Sequence, residues 1–100
     1  MEIIQNSETD VIVIPKGRID ISNSHTLKEK FLHLYNNAFT VITVDFSHVT
    51  GIDSSGLGKL LLFQKKLKEK NGELIIINVK NEYIQKMFEM IHLDKVIKIL

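Results

Sequence analysis

The stretch VITVDFSHVTGIDSSGLGK, residues 41–59, decides the fold. It opens on Val41–Val44, a continuous apolar run rich in β-branched residues, which predicts a strand. It ends on GIDSSGLGK, residues 51–59, where three glycines and two serines precede a helical pattern. We therefore expect a strand, a loop over Asp45–Asp53 and then a helix that begins near the serines.

The helix that follows is predicted over Ser54–Lys70, and Asn71-Gly72 suits its end as a left-handed pair. One face of this helix carries mostly apolar side chains. These are Leu57, Leu60, Leu61, Gln64 and Leu67. A cluster of lysines on the same segment predicts a solvated helix face, with a patch for a polyanion or for lipid headgroups as the alternative. Its members are Lys59, Lys65, Lys66, Lys68 and Lys70.

The rest of the chain repeats the alternation of strand and helix. Predicted strands lie at Met1–Gln5 as an edge strand, at Val11–Ile14, at Leu74–Ile77 and at Val96–Leu100, with a kink or bulge at Pro15–Gly17 before Arg18-Ile19 resumes the second strand. A helix over Ser22–Asn37 has its stripe at Leu27, Phe31, Leu34 and Ala38, and Ser22, Asn23 or Ser24 can cap it. A third helix, capped by Asn81, has its stripe at Ile84, Met87, Phe88 and Ile91.

The order β-β-α-β-α-β-α-β predicts an α/β fold in one domain, residues 1–100. Strand–helix–strand units favour parallel pairs with helices packed on the sheet. The chain between the first two strands is too short for a crossover, so that pair should be antiparallel and the sheet mixed. Continuous apolar strands such as Val41–Val44 are usually central or covered on both faces.

Composition excludes several classes of protein. The chain is 44% hydrophobic and 25% charged, and its 13 basic and 12 acidic residues give a net charge of +1. This balance does not suit a direct nucleic-acid binder. A transmembrane helix needs about 20 consecutive apolar residues, and every apolar run in this chain is far shorter. There is no cysteine and no pattern of a secretory signal, so we expect a cytoplasmic protein.

Three kinds of catalytic or binding motif fail at the glycine–serine loop. Gly51 and Gly56 have the separation of a phosphate-binding P-loop, but Leu57 stands where the lysine must be. Neither serine has the flanking glycines of a nucleophile elbow. No pair of histidines has metal-ligand spacing, and no cysteine adds a ligand. These mismatches disfavour an enzyme, and we expect no catalytic site, no metal site and no cofactor at these residues.

What remains is the N-terminus of a helix. Ser54 or Ser55 sits where an N-cap belongs, although Asp53 already offers a capping oxygen. Gly56 and Gly58 each cost about 1 kcal/mol within a helix, which suggests that some group approaches the backbone closely there. The free amides and partial positive charge at such an end also tolerate a phosphate group.

The sequence DSSGLG, residues 53–58, resembles the signature of STAS-domain anti-sigma factor antagonists of the SpoIIAA/RsbV type. It follows a β-branched strand and Asp45-Phe46-Ser47, as in that family. Gly17-Arg18-Ile19-Asp20 is similar to the family's G-x-[LI]-D segment at a strand end. Residues 71–74 and 79–93 are similar to its later strand start and third helix, so the resemblance covers essentially the whole chain.

The resemblance implies a phosphorylation-controlled partner switch. Unphosphorylated, such a protein binds an anti-sigma factor that is also a serine kinase, and so releases a sigma factor. The kinase phosphorylates the first serine of the motif, here Ser54, and a PP2C-type phosphatase reverses the modification. The resemblance further implies a set of partner-binding residues around that serine: Asp20, Asp53, Ser55, Gly56, Leu57 and Gly58.

Two other functions stay open at this point. One is a STAS scaffold or accessory subunit of a signalling or transport complex that is not phosphorylated. The other is a small hydrolase or nucleotide-binding enzyme, which is disfavoured because the loop lacks the residue spacing of a P-loop and of a nucleophile elbow. Many relatives also carry a further C-terminal helix, so contacts with partners in that region do not carry over to this chain.

Overall fold

The computed structural model describes residues 1–100 and contains seven strands, three α-helices and one 3-10 turn. The strands are β1 (Glu2–Gln5), β2 (Asp10–Ile14), β3 (Gly17–Ile19), β4 (Val41–Asp45), β5 (Val49–Ile52), β6 (Glu73–Ile77) and β7 (Lys98–Ile99). The helices are α1 (Ser24–Asn36), α2 (Ser54–Glu69) and α3 (Glu82–Met90), and the 3-10 turn covers Leu93–Lys95. None of the helices is both long and apolar enough to cross a membrane.

The main sheet has five strands in the order β1-β2-β4-β6-β7. β1 is an edge strand and pairs antiparallel with β2, while β2, β4, β6 and β7 run parallel. The predicted mixed sheet, the antiparallel first pair and the N-terminal edge strand are therefore confirmed. β4 occupies the centre, as its continuous apolar sequence indicates.

The core lies between one face of this sheet and the helices. Every second residue of the three central strands points into it: Val11, Val13, Ile42, Val44, Leu74 and Ile76 are fully buried. Two edge-to-face aromatic pairs fill the space above the sheet. The ring centroids of Phe31 and Phe63 are 5.3 Å apart, and those of Phe46 and Phe88 are 5.8 Å apart.

The segment Asp45–Asp53 is not the simple loop that the sequence predicts. It contains β5, which pairs in parallel with β3 as a separate two-stranded sheet. Pro15–Gly17 is correspondingly a break between β2 and β3, with Gly17 at a φ of 76° and its N–H donating to the His48 carbonyl at 2.9 Å. Arg18-Ile19 is extended as predicted but belongs to β3 of this second sheet, and β5 is not predicted at all, because each strand is only three or four residues long and pairs with a partner distant in sequence.

Helix ends and stripes differ from prediction at several positions. α1 begins at Ser24, so Ser22 lies outside it, and its N-cap residue Asn23 makes no side-chain capping bond. Ala38 lies beyond the helix at a φ of 70° and is exposed. Leu61 and Ile91 are exposed as well, whereas Phe63, absent from the predicted stripe, is fully buried.

The remaining ends are close to expectation. Asn81 caps α3, accepting from the Ile84 N–H at 3.1 Å. Of the predicted left-handed pair at the end of α2, only Asn71 has a left-handed backbone conformation, with a φ of 61°. Gly72 instead packs closely against the Thr40 carbonyl. The last strand is confined to Lys98–Ile99. The lysine-rich side of α2 is largely solvated, with Lys70 Nζ 3.8 Å from the centroid of the Tyr35 ring.

Candidate functional site

Ser54 is the first residue of α2 and is exposed to solvent. β5 delivers the chain to this point, because the buried side chains of Val49 and Ile52 fix the strand that ends one residue before Asp53. The hydroxyl of Ser54 has no hydrogen-bond partner within the chain, while the neighbouring Ser55 is half-buried and hydrogen-bonded. The two serines of the motif therefore differ in accessibility.

Asp53, and neither serine, caps α2. Its Oδ1 accepts from the backbone N–H groups of Ser55 at 3.0 Å and Gly56 at 3.1 Å, and from the Ser55 hydroxyl at 2.6 Å. This is the geometry expected of an N-cap carboxylate. Of the three residues that could cap α2, namely Asp53, Ser54 and Ser55, Asp53 is therefore the one that does so, and the Ser54 hydroxyl has no partner.

Asp53 also joins α2 to the loop between β3 and α1. Its Oδ2 accepts from the Ile21 N–H at 3.1 Å, and its own N–H donates to the Ile19 carbonyl at 3.1 Å. Two segments far apart in sequence are thereby held beside each other. Asp20, which precedes Ile21, therefore lies near Asp53.

Asp20 is held in place by its own loop. Its carboxylate accepts from the Ser22 N–H at 3.0 Å and from the Ser22 hydroxyl, and it lies 3.6 Å from Arg18 Nε. The Asn23 side chain, which was a predicted helix cap, instead accepts from the Asp20 N–H and donates to the Arg18 carbonyl. The loop is thus ordered by its own hydrogen bonds.

The hydrogen bonds keep both carboxylates ionised. The bond from the Ser22 hydroxyl lowers the pKa of Asp20, and the bonds from the Ser55 hydroxyl and the Gly56 amide lower the pKa of Asp53. The charge of Asp53 opposes this effect on Asp20 but does not outweigh it. At neutral pH the surface around Ser54 therefore carries two negative charges and one nearby cation, Arg18.

The two glycines of the motif have different surroundings. A Cβ on Gly56 would lie 2.6 Å from Ile19 Cγ2 and 2.9 Å from the Ile19 carbonyl oxygen, so Gly56 allows α2 to pack on β3. Nothing lies within 4 Å of the corresponding position on Gly58. The group that approaches Gly56 closely is Ile19 of the same chain, and no group approaches Gly58 in this way. Leu57 is half-buried and packs against the core.

Two residues that contact Asp20 or Asp53 were not singled out from the sequence. The Ile21 side chain is 81% exposed although its backbone is fixed by Asp53. The Arg18 guanidinium lies over Gly51, where an added Cβ would come within 2.5 Å of Nη1. An isoleucine between Asp20 and the polar Ser22-Asn23 pair is the one signal that could have indicated an exposed apolar contact.

The site is an open surface. None of the cavities of the molecule is lined by Ser54 or Asp53, and the nearest, of about 210 Å³, lies beside Arg18 and Asn23. No group of three or more histidine, aspartate or glutamate side chains is arranged to hold a metal ion. An exposed hydroxyl, an exposed apolar side chain on a fixed backbone and ordered carboxylates on such a surface suit contact with another macromolecule.

Comparisons with known proteins agree with this architecture. The model of the STAS domain family matches residues 1–100. The anti-sigma-B factor antagonist of Listeria monocytogenes is 27% identical over 97 residues, which cover 96% of this chain and 84% of that protein. The resemblance to anti-sigma factor antagonists that the sequence indicated is confirmed.

Solved structures with the same fold include both forms of one protein. SpoIIAA in its unphosphorylated form has a TM-score of 0.78 at 20% identity, covering 99% of this chain and 86% of that one. Bacillus SpoIIAA in its phosphorylated form has a TM-score of 0.77 at 21% identity, covering 99% and 89%. With a family match along its whole length and the fold to accompany it, the chain belongs to the STAS domain family.

Proposed function

We propose that this protein is an anti-sigma factor antagonist of the cytoplasm, switched by phosphorylation of Ser54. In its unphosphorylated form it binds an anti-sigma factor that is also a serine kinase. The sigma factor that this anti-sigma factor held is then released. The support is twofold: the relatives named above are antagonists, and SpoIIAA has been solved both with and without phosphate.

The observation that carries the proposal is the exposed, unbonded hydroxyl of Ser54 at the start of α2. A kinase must reach the hydroxyl and align it with the γ-phosphate of ATP, and such transfer depends chiefly on positioning. Ser54 meets that requirement because Asp53 fixes the first turn of the helix without engaging the hydroxyl. Ser55 does not, since its hydroxyl is bonded to Asp53.

The phosphate would act by its charge. It adds about −1.5 to −2 charges at neutral pH, beside the ionised Asp53 and near Asp20. In the free protein this charge lies at the N-terminus of a helix and in water, so the fold should persist. In a complex it would meet a desolvated interface without a compensating cation, which costs several kcal/mol and would release the partner.

The partner would contact the surface formed by Ser54 and its neighbours. This surface consists of the partner-binding residues inferred from the family signature, namely Asp20, Asp53, Ser55, Gly56, Leu57 and Gly58, and we add Ile21 as its exposed apolar contact. In this role the protein is a substrate of the kinase and of a PP2C-type phosphatase. It performs no catalysis of its own and needs no cofactor, metal, nucleic acid or membrane.

The site can be tested by mass spectrometry of the protein recovered from the cells that produce it, with phosphatases inhibited. We expect one phosphate, on the peptide that contains Ser54, and no phosphate on Ser54→Ala. Ser55→Ala is the matched control, because it alters the adjacent serine and should still be phosphorylated. If Ser54→Ala carries as much phosphate as the wild type, the proposed acceptor is wrong.

A further inference from the structure

One face of the main sheet has no helix on it. The side chains that alternate with the buried core residues of β2, β4 and β6 point away from all three helices and do not join the core cluster. The strand pairings place the neighbouring residues of β1 and β7 on this same face. We call it the open sheet face.

The open sheet face is apolar at its centre. Its six apolar side chains surround Thr43 of the central strand. They are Ile4, Ile12, Ile14, Val41, Ile75 and Ile77. Ile4 is 42% exposed and the other five are half-buried. Strands with apolar residues on both faces are typical of sheets covered on both sides, and here only one side is covered.

The rim of this face is acidic. The register places Glu2 beside Ile14, Asp10 beside Val41 and Glu73 on the other side of Val41. Asp45 lies beside Ile77, and the only basic residue that the register brings to the face is Lys98, beside Ile75. The register thus places four carboxylates and one ammonium group around the apolar centre, although the chain as a whole has a net charge of +1. Of the four, Asp45 already accepts from the Ser47 N–H at 2.9 Å and lies near His48.

We infer that the open sheet face binds a cationic amphipathic helix of a partner protein, with its apolar stripe on the isoleucines and its lysines or arginines on the acidic rim. The charge pattern selects this occupant. A second copy of the chain would bring one acidic rim against another, which is unfavourable. Phosphate-bearing partners, whether nucleic acid or anionic lipid, would be repelled by the same carboxylates.

This surface is independent of the phosphorylation site. Ser54 begins α2, which packs on the opposite face of the sheet. A helix on the open sheet face would leave Ser54 accessible, so the protein could hold two partners at once. The failure of either proposal would leave the other standing.

The test uses the full chain, labelled at isoleucine methyl groups for NMR, and two synthetic helical peptides of about 18 residues. One peptide is built from leucine and lysine with leucines at helical spacing, and the other has glutamate in place of lysine. We expect the cationic peptide to shift the methyl signals of Ile4, Ile12, Ile75 and Ile77. The signals of Ile19 and Ile97, which lie in the core, should not move.

Charge variants make the test specific. The double variant Glu2→Lys, Glu73→Lys should weaken binding of the cationic peptide at least about fivefold, because it replaces two attractions by repulsions. The matched control, Glu69→Lys with Glu89→Lys, changes charge equally on α2 and α3 and should leave binding unchanged. The inference is overturned if both peptides bind alike, if the shifts fall elsewhere or are absent, or if the two double variants behave alike. It is also overturned if the same methyl signals move with protein concentration alone, since the occupant is then a second copy.

Discussion

At the scale of single residues, Asp53 determines how Ser54 is presented. One carboxylate caps α2 through Oδ1 and binds the Ile21 N–H through Oδ2. The helix start and the β3–α1 loop are therefore fixed by the same side chain. The exposed Ser54 hydroxyl lies at this helix start with no hydrogen bond within the chain.

The dependence of stability on pH should report this role of Asp53. Its pKa in the folded protein is lowered, first by the bond from the Ser55 hydroxyl and then by that from the Gly56 amide. A group of this kind stabilises the fold fully above its unfolded pKa, about 3.9, and ceases to do so as the pH falls through the lower folded pKa. Asp53→Ala should therefore unfold several degrees below the wild type at neutral pH, and the gap should shrink below about pH 4.

Thermal unfolding followed by circular dichroism across this pH range measures the gap. Ser54→Ala serves as the control at the adjacent position, and its midpoint should follow that of the wild type at every pH. A gap for Asp53→Ala that is unchanged in acid would show that the carboxylate charge does not stabilise the helix start.

The glycines of the motif provide a second comparison. Gly56→Ala places a methyl group against Ile19, and we expect it to lower the free energy of unfolding by roughly 1–3 kcal/mol despite the gain in helix propensity. Gly58→Ala has open space and should raise it by about 0.5–1 kcal/mol. Urea unfolding distinguishes the two, and equal effects would contradict the packing described at Gly56.

At the scale of elements, Gln64 joins α2 to the C-terminal part of the sheet. It is buried; its Nε2 donates to the Val96 carbonyl at 2.9 Å and its Oε1 accepts from the Leu74 N–H at 2.8 Å. A glutamine within an apolar helical stripe thereby supplies two hydrogen bonds that no apolar side chain could replace.

Replacing Gln64 by leucine should therefore destabilise the protein although it makes the stripe more apolar. We expect a loss of roughly 1–3 kcal/mol in the free energy of unfolding, because the buried Leu74 N–H and the partly buried Val96 carbonyl lose their partners. Gln85→Leu is the control: its side chain also donates to a carbonyl, that of Val79, but is exposed, so water can replace it. A Gln64→Leu protein as stable as the Gln85→Leu protein would refute this role.

The sequence predicts the elements of this fold unevenly. Helical periodicity places α2 correctly, continuous apolar runs place the three central strands, and DSSGLG locates the start of α2. The small β3–β5 sheet could not be predicted, because Val49–Ile52 is too short for a pattern and pairs with residues about 30 positions away. Helix stripes failed at Ala38, Leu61 and Ile91 because periodicity cannot show which side chains lie beyond the packed surface.

The sequence predicts the candidate site only in part, because it does not show contacts between segments that are far apart along the chain. The motif indicates that Ser54, Asp53 and Asp20 belong together, and the structure brings Asp20 and Asp53 to one surface through Ile21. The sequence does not show that Asp53, and neither serine, caps the helix. The position of Ile21 beside Asp53 depends on a contact between residues 32 positions apart. No local pattern contains that information.

At the scale of the whole molecule, the two sides of the sheet have different roles in our account. The helices cover one side and present Ser54 at the start of α2, while the other side is the open sheet face with its acidic rim. Phosphorylation would change the net charge from +1 to about −1, yet the added charge is local to the first side. The switch should therefore affect the partner at Ser54 and leave the open sheet face unchanged.

The most direct test of the proposed switch is the affinity of the protein for the proposed anti-sigma kinase, measured by calorimetry with the unphosphorylated and the phosphorylated chain. A penalty of roughly 3 kcal/mol for the buried phosphate corresponds to a loss of affinity of about 150-fold, and we expect a loss of that order with the fold intact. Ser54→Ala should bind like the unphosphorylated protein and keep its affinity after incubation with ATP and the kinase. Equal affinity of the phosphorylated and unphosphorylated forms would contradict the account.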